Sequence, residues 1–127
     1  MSPPRILVVD DSDVTRHILS AIINSKQWIV CGEAENGPTA IDQFKQTLPD
    51  VVLLDLAMPG MNGIEVARQM STIDPSVPII LFTAYSSDLL ANTARKAGVC
   101  AIVPQGQCWT LLSSIEQAFT EYDRPVQ

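Results

Sequence analysis

Several features that mark common protein classes are missing from this 127-residue sequence. No apolar run approaches the length that spans a membrane, and the N-terminus lacks the apolar segment of a secretory signal. The cysteines Cys31, Cys100 and Cys108 form no C-x-x-C pair and no metal-binding spacing with the single histidine, His17. We therefore expect a soluble cytoplasmic protein, kept in a reducing compartment, with buried or half-buried thiols and a solvated His17.

Positive charge is also scarce, because 8 Lys and Arg residues face 14 Asp and Glu residues, for a formal net charge of -6. Proteins that bind nucleic-acid backbones present a basic face, so direct nucleic-acid binding is not expected. The sequence has no internal repeat or low-complexity segment, and its 46% hydrophobic content suffices for one core. We expect a single domain over residues 1–127, with about 123–127 forming a tail or the start of a linker.

Short apolar runs recur along the chain and are predicted to be strands. Near-continuous apolar runs of about four residues are typical of strands that a parallel sheet buries on both faces. Glu33 makes one of the runs more polar, which favours an edge strand. The predicted strands cover residues 6–9, 28–34, 51–54, 79–82 and 100–103.

Apolar residues at helical spacing lie between and after these runs. Asn62 and either Ser86 or Ser87 are candidate N-caps, Pro38 fits a first helical turn, and Gly98 is a candidate C-terminal stop. The predicted apolar helix faces are, in chain order, Val14, Ile18, Ala21 and Ile22; Ile41, Phe44 and Leu48; Ile64, Ala67 and Met70; Leu90, Ala94 and Ala97; and Leu111, Ile115, Ala118, Phe119 and Tyr122.

The alternation of five strands with five helices predicts an α/β fold, (βα)5, with a doubly wound parallel sheet covered by helices on both faces. The strand order 2-1-3-4-5 is common among doubly wound folds and is expected here from the class of fold alone. In such sheets, functional sites form at the carboxyl ends of the strands, where the strand order reverses.

Acidic and polar side chains follow the predicted strands at that edge. Asp10 and Asp11 follow the first strand, Asp55 the third, Thr83 ends the fourth, and Gln105 follows the fifth. Three carboxylates in one pocket repel one another unless a cation offsets their charge. Mg²⁺ takes oxygen ligands and would also let an anionic phosphoryl donor approach a carboxylate. The plainer alternative is that these acids are solvated loop residues or helix N-caps.

Three segments resemble the receiver domains of response regulators, the CheY-like superfamily with a flavodoxin-like fold. The matching segments are ILVVDDS at residues 6–12, DLAMPGMNG at 55–63, and Thr83-Ala84. The resemblance implies that Asp55 accepts a phosphoryl group and that Mg²⁺ binds the side chains of Asp11 and Asp55 and the backbone carbonyl of Ala57. Asp10 would act mostly through a coordinated water, and Thr83 would hydrogen-bond a phosphoryl oxygen.

The same resemblance implies a place in a two-component phosphorelay. The phosphoryl donor would be a sensor histidine kinase or a phosphotransfer protein, and the receiver would switch the binding of a downstream output protein or domain. No membrane association is implied. The chain would not be an enzyme beyond the self-catalysed transfer of a phosphoryl group to its own Asp55 and hydrolysis from it.

Two positions depart from the family pattern. Receivers normally carry a lysine directly after the fifth strand, where this chain has Gln105, and Ile102 stands where an aromatic switch residue is usual. Both departures favour an alternative function, a pseudo-receiver that binds partners without phosphorylation.

Two further alternatives explain less of the sequence. The run 11–15 matches the DxDx[TV] motif of haloacid-dehalogenase-like phosphatases, but no suitable downstream lysine follows and the segment around Asp55 would be unexplained. A flavodoxin-like cofactor domain shares the architecture, but its first loop should accept a phosphate, and Asp10, Asp11 and Asp13 would repel one.

Overall fold

The computed structural model describes residues 2–58, 60–84 and 87–121. Five strands and five helices alternate in it, as predicted. The strands are β1 (Arg5–Val9), β2 (Ile29–Ala34), β3 (Val51–Leu54), β4 (Ile79–Thr83) and β5 (Val99–Pro104). The helices are α1 (Asp13–Ser25), α2 (Gly37–Thr47), α3 (Gly63–Ile73), α4 (Asp88–Lys96) and α5 (Cys108–Glu121).

All neighbouring strands are parallel, and their order is β2-β1-β3-β4-β5, which confirms the predicted α/β fold. Val9 pairs with Leu54, and Leu54 pairs with Leu81. The residues that follow β1, β3 and β4 therefore meet at one edge of the sheet. The edge position predicted for β2 is also confirmed, and its first residue, Ile29, is 42% exposed.

The strands are buried on both faces because successive side chains point to opposite sides of the sheet. Leu7 and Val9 of β1 pack with the α2, α3 and α4 side, whereas Ile6 and Val8 pack with the α1 and α5 side. The first cluster includes Phe44, Ala67, Met70 and Ala94, and the second includes Leu19, Ile23, Leu111 and Ile115. This two-sided burial explains the uninterrupted apolar runs of the sequence.

The predicted apolar face of α1 is wrong. Val14 and Ile18 are 69% and 49% exposed, and Leu19 and Ile23 are the buried residues of the helix. Apolar residues lie on several sides of α1. Their spacing therefore fits two alternative buried faces, which are offset from each other by one residue. Packing against the sheet, in the cluster that contains Ile6 and Val8 of β1, selects the face that carries Leu19 and Ile23.

Leu48 was also placed on a buried face, and this is wrong as well. It lies just past α2 in the left-handed region, with φ 50°, and its side chain is 69% exposed. The following Pro49 disfavours a helical conformation at Leu48, so α2 ends before it. Arg5 stabilises this helix end by donating hydrogen bonds to the carbonyl oxygens of Thr47 (2.5 Å) and Leu48 (3.0 Å).

The other predicted helix ends and faces agree with the structure. Asn62 and Ser87 accept hydrogen bonds from the backbone amides of Glu65 (2.9 Å) and Leu90 (3.0 Å) and cap α3 and α4. Gly98 follows α4 with φ 101°, a conformation that favours glycine. The predicted residues Ile64, Ala67, Met70, Ala94, Ala97, Leu111, Ile115 and Ala118 are buried.

Some predictions fall on residues outside the described part of the chain, namely Ser86, Tyr122, the tail 123–127 and the side chain of Cys108. Cys31 and Cys100 are half-buried free thiols, as expected, and His17 is exposed. Within residues 2–58, 60–84 and 87–121, the helices are all too short or too polar to cross a membrane.

Candidate functional site

Asp10 lies directly after β1 and is only 3% exposed. Three backbone or side-chain contacts hold it in place. Its amide donates to the carbonyl oxygen of Ala34 at 3.0 Å, and one carboxylate oxygen accepts from the amide of Ser12 at 2.8 Å. Its carbonyl oxygen accepts a hydrogen bond from Arg16 at 2.6 Å. Asp10 is therefore a fixed, buried acid at the carboxyl end of the sheet.

Asp11 and Asp55 complete a cluster of three acids around this position. Asp11 is exposed and Asp55 is half-buried. One carboxylate oxygen of each of Asp10, Asp11 and Asp55 lies within 4.8 Å of the others. Asp55 is held at the end of β3 by its amide, which donates to the carbonyl oxygen of Val9 at 2.9 Å. The predicted meeting of the three acids at the sheet edge is thus confirmed, whereas their individual roles stay predictions.

The cluster changes the proton affinity of its members. Burial, followed by the negative charges of Asp10 and Asp11, raises the pKa of Asp55 to about 6, although the backbone amides of Ala57 and Leu56 act in the opposite direction. Burial also raises the pKa of Asp10, and the amide of Ser12 and the positive charge of Arg16 oppose this rise. The protein thus holds mutually repelling carboxylates where a cation would relieve the repulsion.

The donor set fits Mg²⁺. This ion prefers oxygen ligands, usually keeps several of its waters, and is commonly held by one or two carboxylates. An exposed Asp11 and a half-buried Asp55 offer carboxylate oxygens beside open solvent, and Asp10 lies close enough to contact a bound water. The backbone amide of Ala57 contacts Asp55, so this residue borders the cluster. Its carbonyl as a further ligand remains a prediction.

The segment that follows Asp55 leads into α3, whose N-cap is Asn62, as predicted. Gly63 is the first residue of α3, and a Cβ atom there would lie 2.3 Å from the carbonyl oxygen of Asp55. Helix α3 therefore begins in direct contact with the Asp55 backbone, which only glycine permits. Gly60, with φ 77°, is in a turn conformation that favours glycine.

Thr83 and Gln105 lie at the ends of β4 and β5 at the same edge. Thr83 is 1% exposed, and its carbonyl oxygen accepts a hydrogen bond from the amide of Gln105 at 3.1 Å. The side-chain amide of Gln105 donates to the carbonyl oxygen of Phe82 at 3.4 Å. The variant position is therefore a half-buried amide that contacts the β4 backbone, and its role toward a phosphoryl group stays a prediction.

Arg16 was not identified from the sequence. Its guanidinium contacts Asp10, Asp13 and Glu33, and its side chain is only 14% exposed. A signal was present, because Arg16 follows Asp13 by three residues, the spacing at which oppositely charged side chains meet on a helix. Its reach back to Asp10 and across to Glu33 depends on the packing of α1 against the sheet and has no sequence signature.

Comparison with known proteins agrees with this arrangement. Residues 6–105 match the response regulator receiver domain family. The chain is similar to the chemotaxis protein CheY of Thermotoga maritima, with 39% identity over 94 residues that cover 74% of this chain and 78% of the relative. It is also similar to the chemotaxis protein CheY of Listeria monocytogenes, with 31% identity over 115 residues, or 90% and 97% of the two chains.

A solved structure gives the same result for the fold. The crystal structure of a two-component response regulator of the LuxR family from Aurantimonas superposes with a TM-score of 0.90 and 30% identity, covering 94% of this chain and 87% of the other. The chain therefore belongs to the response regulator receiver domain family of two-component systems. Receiver domains of this family bind Mg²⁺ at an acidic cluster, and response regulators act with histidine kinases and output domains.

Proposed function

We propose that this chain is a phosphoryl-accepting receiver in a two-component phosphorelay. Asp55 takes a phosphoryl group from a sensor histidine kinase or a phosphotransfer protein, with Mg²⁺ bound at Asp10, Asp11, Asp55 and the carbonyl of Ala57. The modified domain, which spans residues 1–127 in a cytoplasmic protein, then changes its binding to an output protein or domain. Beyond this transfer and the hydrolysis of its own acyl phosphate, it is not an enzyme.

The proposal depends on one observation, the clustering of the carboxylates of Asp10 and Asp11 with that of the half-buried Asp55. Their oxygens lie within 4.8 Å of one another, and the pKa of Asp55 is raised to about 6. At pH 7 Asp55 is still mostly ionised, so it can act as a nucleophile. The surrounding negative charge would repel an anionic phosphoryl donor. A cation held by the same cluster would offset this repulsion next to the acceptor carboxylate.

In the proposed reaction, a carboxylate oxygen of Asp55 forms a bond to the phosphorus atom of the donor phosphohistidine. The phosphorus–nitrogen bond breaks, its electron pair stays on the imidazole nitrogen, and that nitrogen takes a proton from solvent. A bound Mg²⁺ would offset charge on the phosphoryl oxygens. Thr83 ends β4 at the same sheet edge, and its hydroxyl would donate to a phosphoryl oxygen. The Gln105 amide could donate as well, without supplying a charge.

One feature favours a second candidate function, an interaction module that works without phosphorylation. Gln105 replaces the lysine that receivers of this family normally carry, and its amide group contacts the carbonyl oxygen of Phe82 at 3.4 Å. The fixed positive charge expected beside the phosphoryl group is therefore missing at this position. The intact acids and Thr83 favour phosphoryl acceptance over this alternative.

The two functions are separated by intact-mass measurement after treatment with acetyl phosphate and Mg²⁺. We expect the wild type to gain the mass of one phosphoryl group, and Asp55→Asn to gain none. Asp42→Asn, which changes an exposed acid on α2, is the matched control and should behave as the wild type. An unmodified wild type under conditions that modify a typical receiver would favour the phosphorylation-independent module.

A further inference from the structure

The Arg16 guanidinium joins the ends of β1 and β2 to the start of α1. One terminal nitrogen, Nη1, donates to the carbonyl oxygen of Asp10 at 2.6 Å. The other, Nη2, pairs with the carboxylate of Asp13, and Nε lies 3.3 Å from a carboxylate oxygen of Glu33. The planar group thus uses all three of its nitrogens, and it is largely shielded from solvent while both acids remain more exposed.

The carbonyl that Arg16 contacts belongs to the peptide between Asp10 and Asp11. This peptide sets the relative direction of the two acidic side chains. The Asp10 amide is fixed by Ala34, and the Asp10 carboxylate is fixed by Ser12, so Arg16 supplies the contact that fixes the carbonyl side. The same guanidinium also pairs with the carboxylate of Glu33, the residue before Ala34. The contacts of Asp10 with Ala34 and with Arg16 are therefore both linked to the end of β2.

We infer that Arg16 is a positioning residue for the cation site: it holds the Asp10–Asp11 peptide so that both carboxylates face the place where Mg²⁺ binds. This inference rests on the proposed function for the identity of the cation. Arg16 acts through Asp10 and Asp11 and does not need to touch the cation or the phosphoryl group. Residues that orient metal ligands in this way typically change metal affinity by about 10- to 100-fold when they are replaced.

Arginine is required here because of its shape as well as its charge. Its fork of nitrogens reaches three acceptors in fixed directions, whereas a lysine ammonium is a compact point charge on a flexible stem. Arg16→Lys therefore keeps the charge near the acids but loses the simultaneous contacts with Asp10, Asp13 and Glu33. If positioning is the function of Arg16, lysine should not restore Mg²⁺ binding.

The chain also offers a matched control. Arg68 on α3 pairs with Glu65 three residues earlier, at 2.8 Å, as Arg16 pairs with Asp13. Its side chain is 55% exposed, and its pair is confined to one helix. Arg68→Gln therefore removes the same charge and a similar helical ion pair without affecting the peptide between Asp10 and Asp11.

The test is a Mg²⁺ titration of each full chain, followed through the backbone amide NMR signals of Asp11 and Ser12, together with thermal unfolding without Mg²⁺. We expect Arg16→Gln and Arg16→Lys each to bind Mg²⁺ about tenfold more weakly than the wild type, whereas Arg68→Gln binds as the wild type does. Affinities of both Arg16 variants within twofold of the wild type would overturn the inference, even if their Tm fell. The absence of Mg²⁺-dependent NMR shifts in the wild type would also overturn the inference.

These outcomes are distinct from those of the proposed function. Phosphoryl transfer to Asp55 is measured by mass after acetyl phosphate treatment, and Mg²⁺ affinity is measured with the cation alone. A wild type that binds Mg²⁺ in an Arg16-dependent way but accepts no phosphoryl group would contradict the proposed function and support the inference about Arg16.

Discussion

The amide of Gly63 donates a hydrogen bond to the carbonyl oxygen of Leu56 at 2.6 Å, and this contact closes the loop that carries Asp55 into α3. A Cβ atom at position 63 would lie 2.3 Å from the carbonyl oxygen of Asp55 and 2.9 Å from the Cα of Leu56. Both neighbours are backbone atoms and cannot rotate away. The conformation of the candidate acceptor loop therefore depends on the absence of a side chain at Gly63.

We predict that Gly63→Ala lowers the free energy of unfolding by about 1–3 kcal/mol, because the loop or α3 must shift to admit the methyl group. The rate of Asp55 phosphorylation should fall as well, since the acceptor loop is displaced. Denaturant unfolding and mass-detected kinetics measure the two effects. Gly106→Ala is the control, because a Cβ atom there would have no neighbour within 4 Å. Equal stability of the two variants would contradict the proposed role of Gly63.

The raised pKa of Asp55 predicts a pH-dependent stability of the cation-free protein. The fold raises the pKa of this carboxyl from 3.8 to about 6, chiefly through burial. Between these values the native state binds the proton more tightly than the unfolded state, so the stability contributed by Asp55 falls as the pH rises from about 4 to 6. Above pH 6 the ionised carboxylate is a net cost to the fold.

Asp55→Asn removes this cost. Without Mg²⁺ at pH 7.5 (about 1.5 units above the folded pKa), its Tm should exceed that of the wild type by roughly 3–8 °C, after allowance for solvent screening. The difference should shrink in acid, where the wild-type carboxyl is protonated, and on adding Mg²⁺. Thermal unfolding across pH measures it, with Asp42→Asn as the control. A difference that is independent of pH would show that ionisation of Asp55 does not strain the fold.

The fold was predictable from the sequence where one physical rule decided the outcome. A short, uninterrupted apolar run such as residues 51–54 is best satisfied by a strand that is buried on both faces of a sheet. The bounds of β3 agree with this prediction. The capping residues Asn62 and Ser87 act through local hydrogen bonds, so their roles were also predictable. The strand order came from the class of fold and not from the residues.

Features that depend on packing between distant segments were not predictable. The buried face of α1 was misplaced because Ile18, Leu19, Ile22 and Ile23 offer more than one apolar face, and only the position of the sheet selects Leu19 and Ile23. The clustering of the three acids was predictable from the strand ends. The contacts of Arg16 and the close approach at Gly63 were not, because both involve backbone atoms brought together by the tertiary fold.

We predict that phosphorylation of Asp55 changes the conformation of α4 through Thr83. Thr83 is buried at the end of β4, and Ser87 caps the helix a few residues later, so drawing the Thr83 hydroxyl toward a phosphoryl oxygen should shift the start of α4. Beryllofluoride with Mg²⁺ should therefore move backbone NMR signals in residues 87–96 as well as those near the acids. Thr83→Val should lose the changes in α4, and changes confined to the acids in the wild type would contradict this route.

Ile102 should reduce the size of the conformational change in α4. It lies on β5, pairs with Leu81, and lines a cavity of about 160 Å³ with Ala91, Ala94 and Arg95 of α4. A β-branched isoleucine is restricted at χ1 and moves less surface than an aromatic ring when it changes rotamer, so it should transmit a smaller change to α4. We expect Ile102→Tyr to enlarge the beryllofluoride-induced shifts in α4, and shifts no larger than those of the wild type would contradict the prediction.

Gln105 brings no positive charge to the sheet edge where the phosphoryl group is proposed to bind. A lysine ammonium there would make a charge-assisted contact with the phosphoryl group, which is roughly twice as strong as a neutral hydrogen bond. The glutamine amide can donate but carries no charge. The expected difference is about 1–3 kcal/mol in stabilising the phosphorylated state or its transition state, partly offset by Mg²⁺. Gln105→Lys should therefore accelerate phosphorylation by acetyl phosphate about 10- to 100-fold.

The control for Gln105→Lys is Gln107→Lys, which adds the same charge two residues later at an exposed position. A general electrostatic attraction of acetyl phosphate would accelerate both variants similarly, whereas a specific contact accelerates only the first. The backbone amide of Gln105 bonds to Thr83, and this contact does not depend on the side chain, so the fold should be retained. Wild-type kinetics in Gln105→Lys would show that the side chain at position 105 does not reach the phosphoryl group.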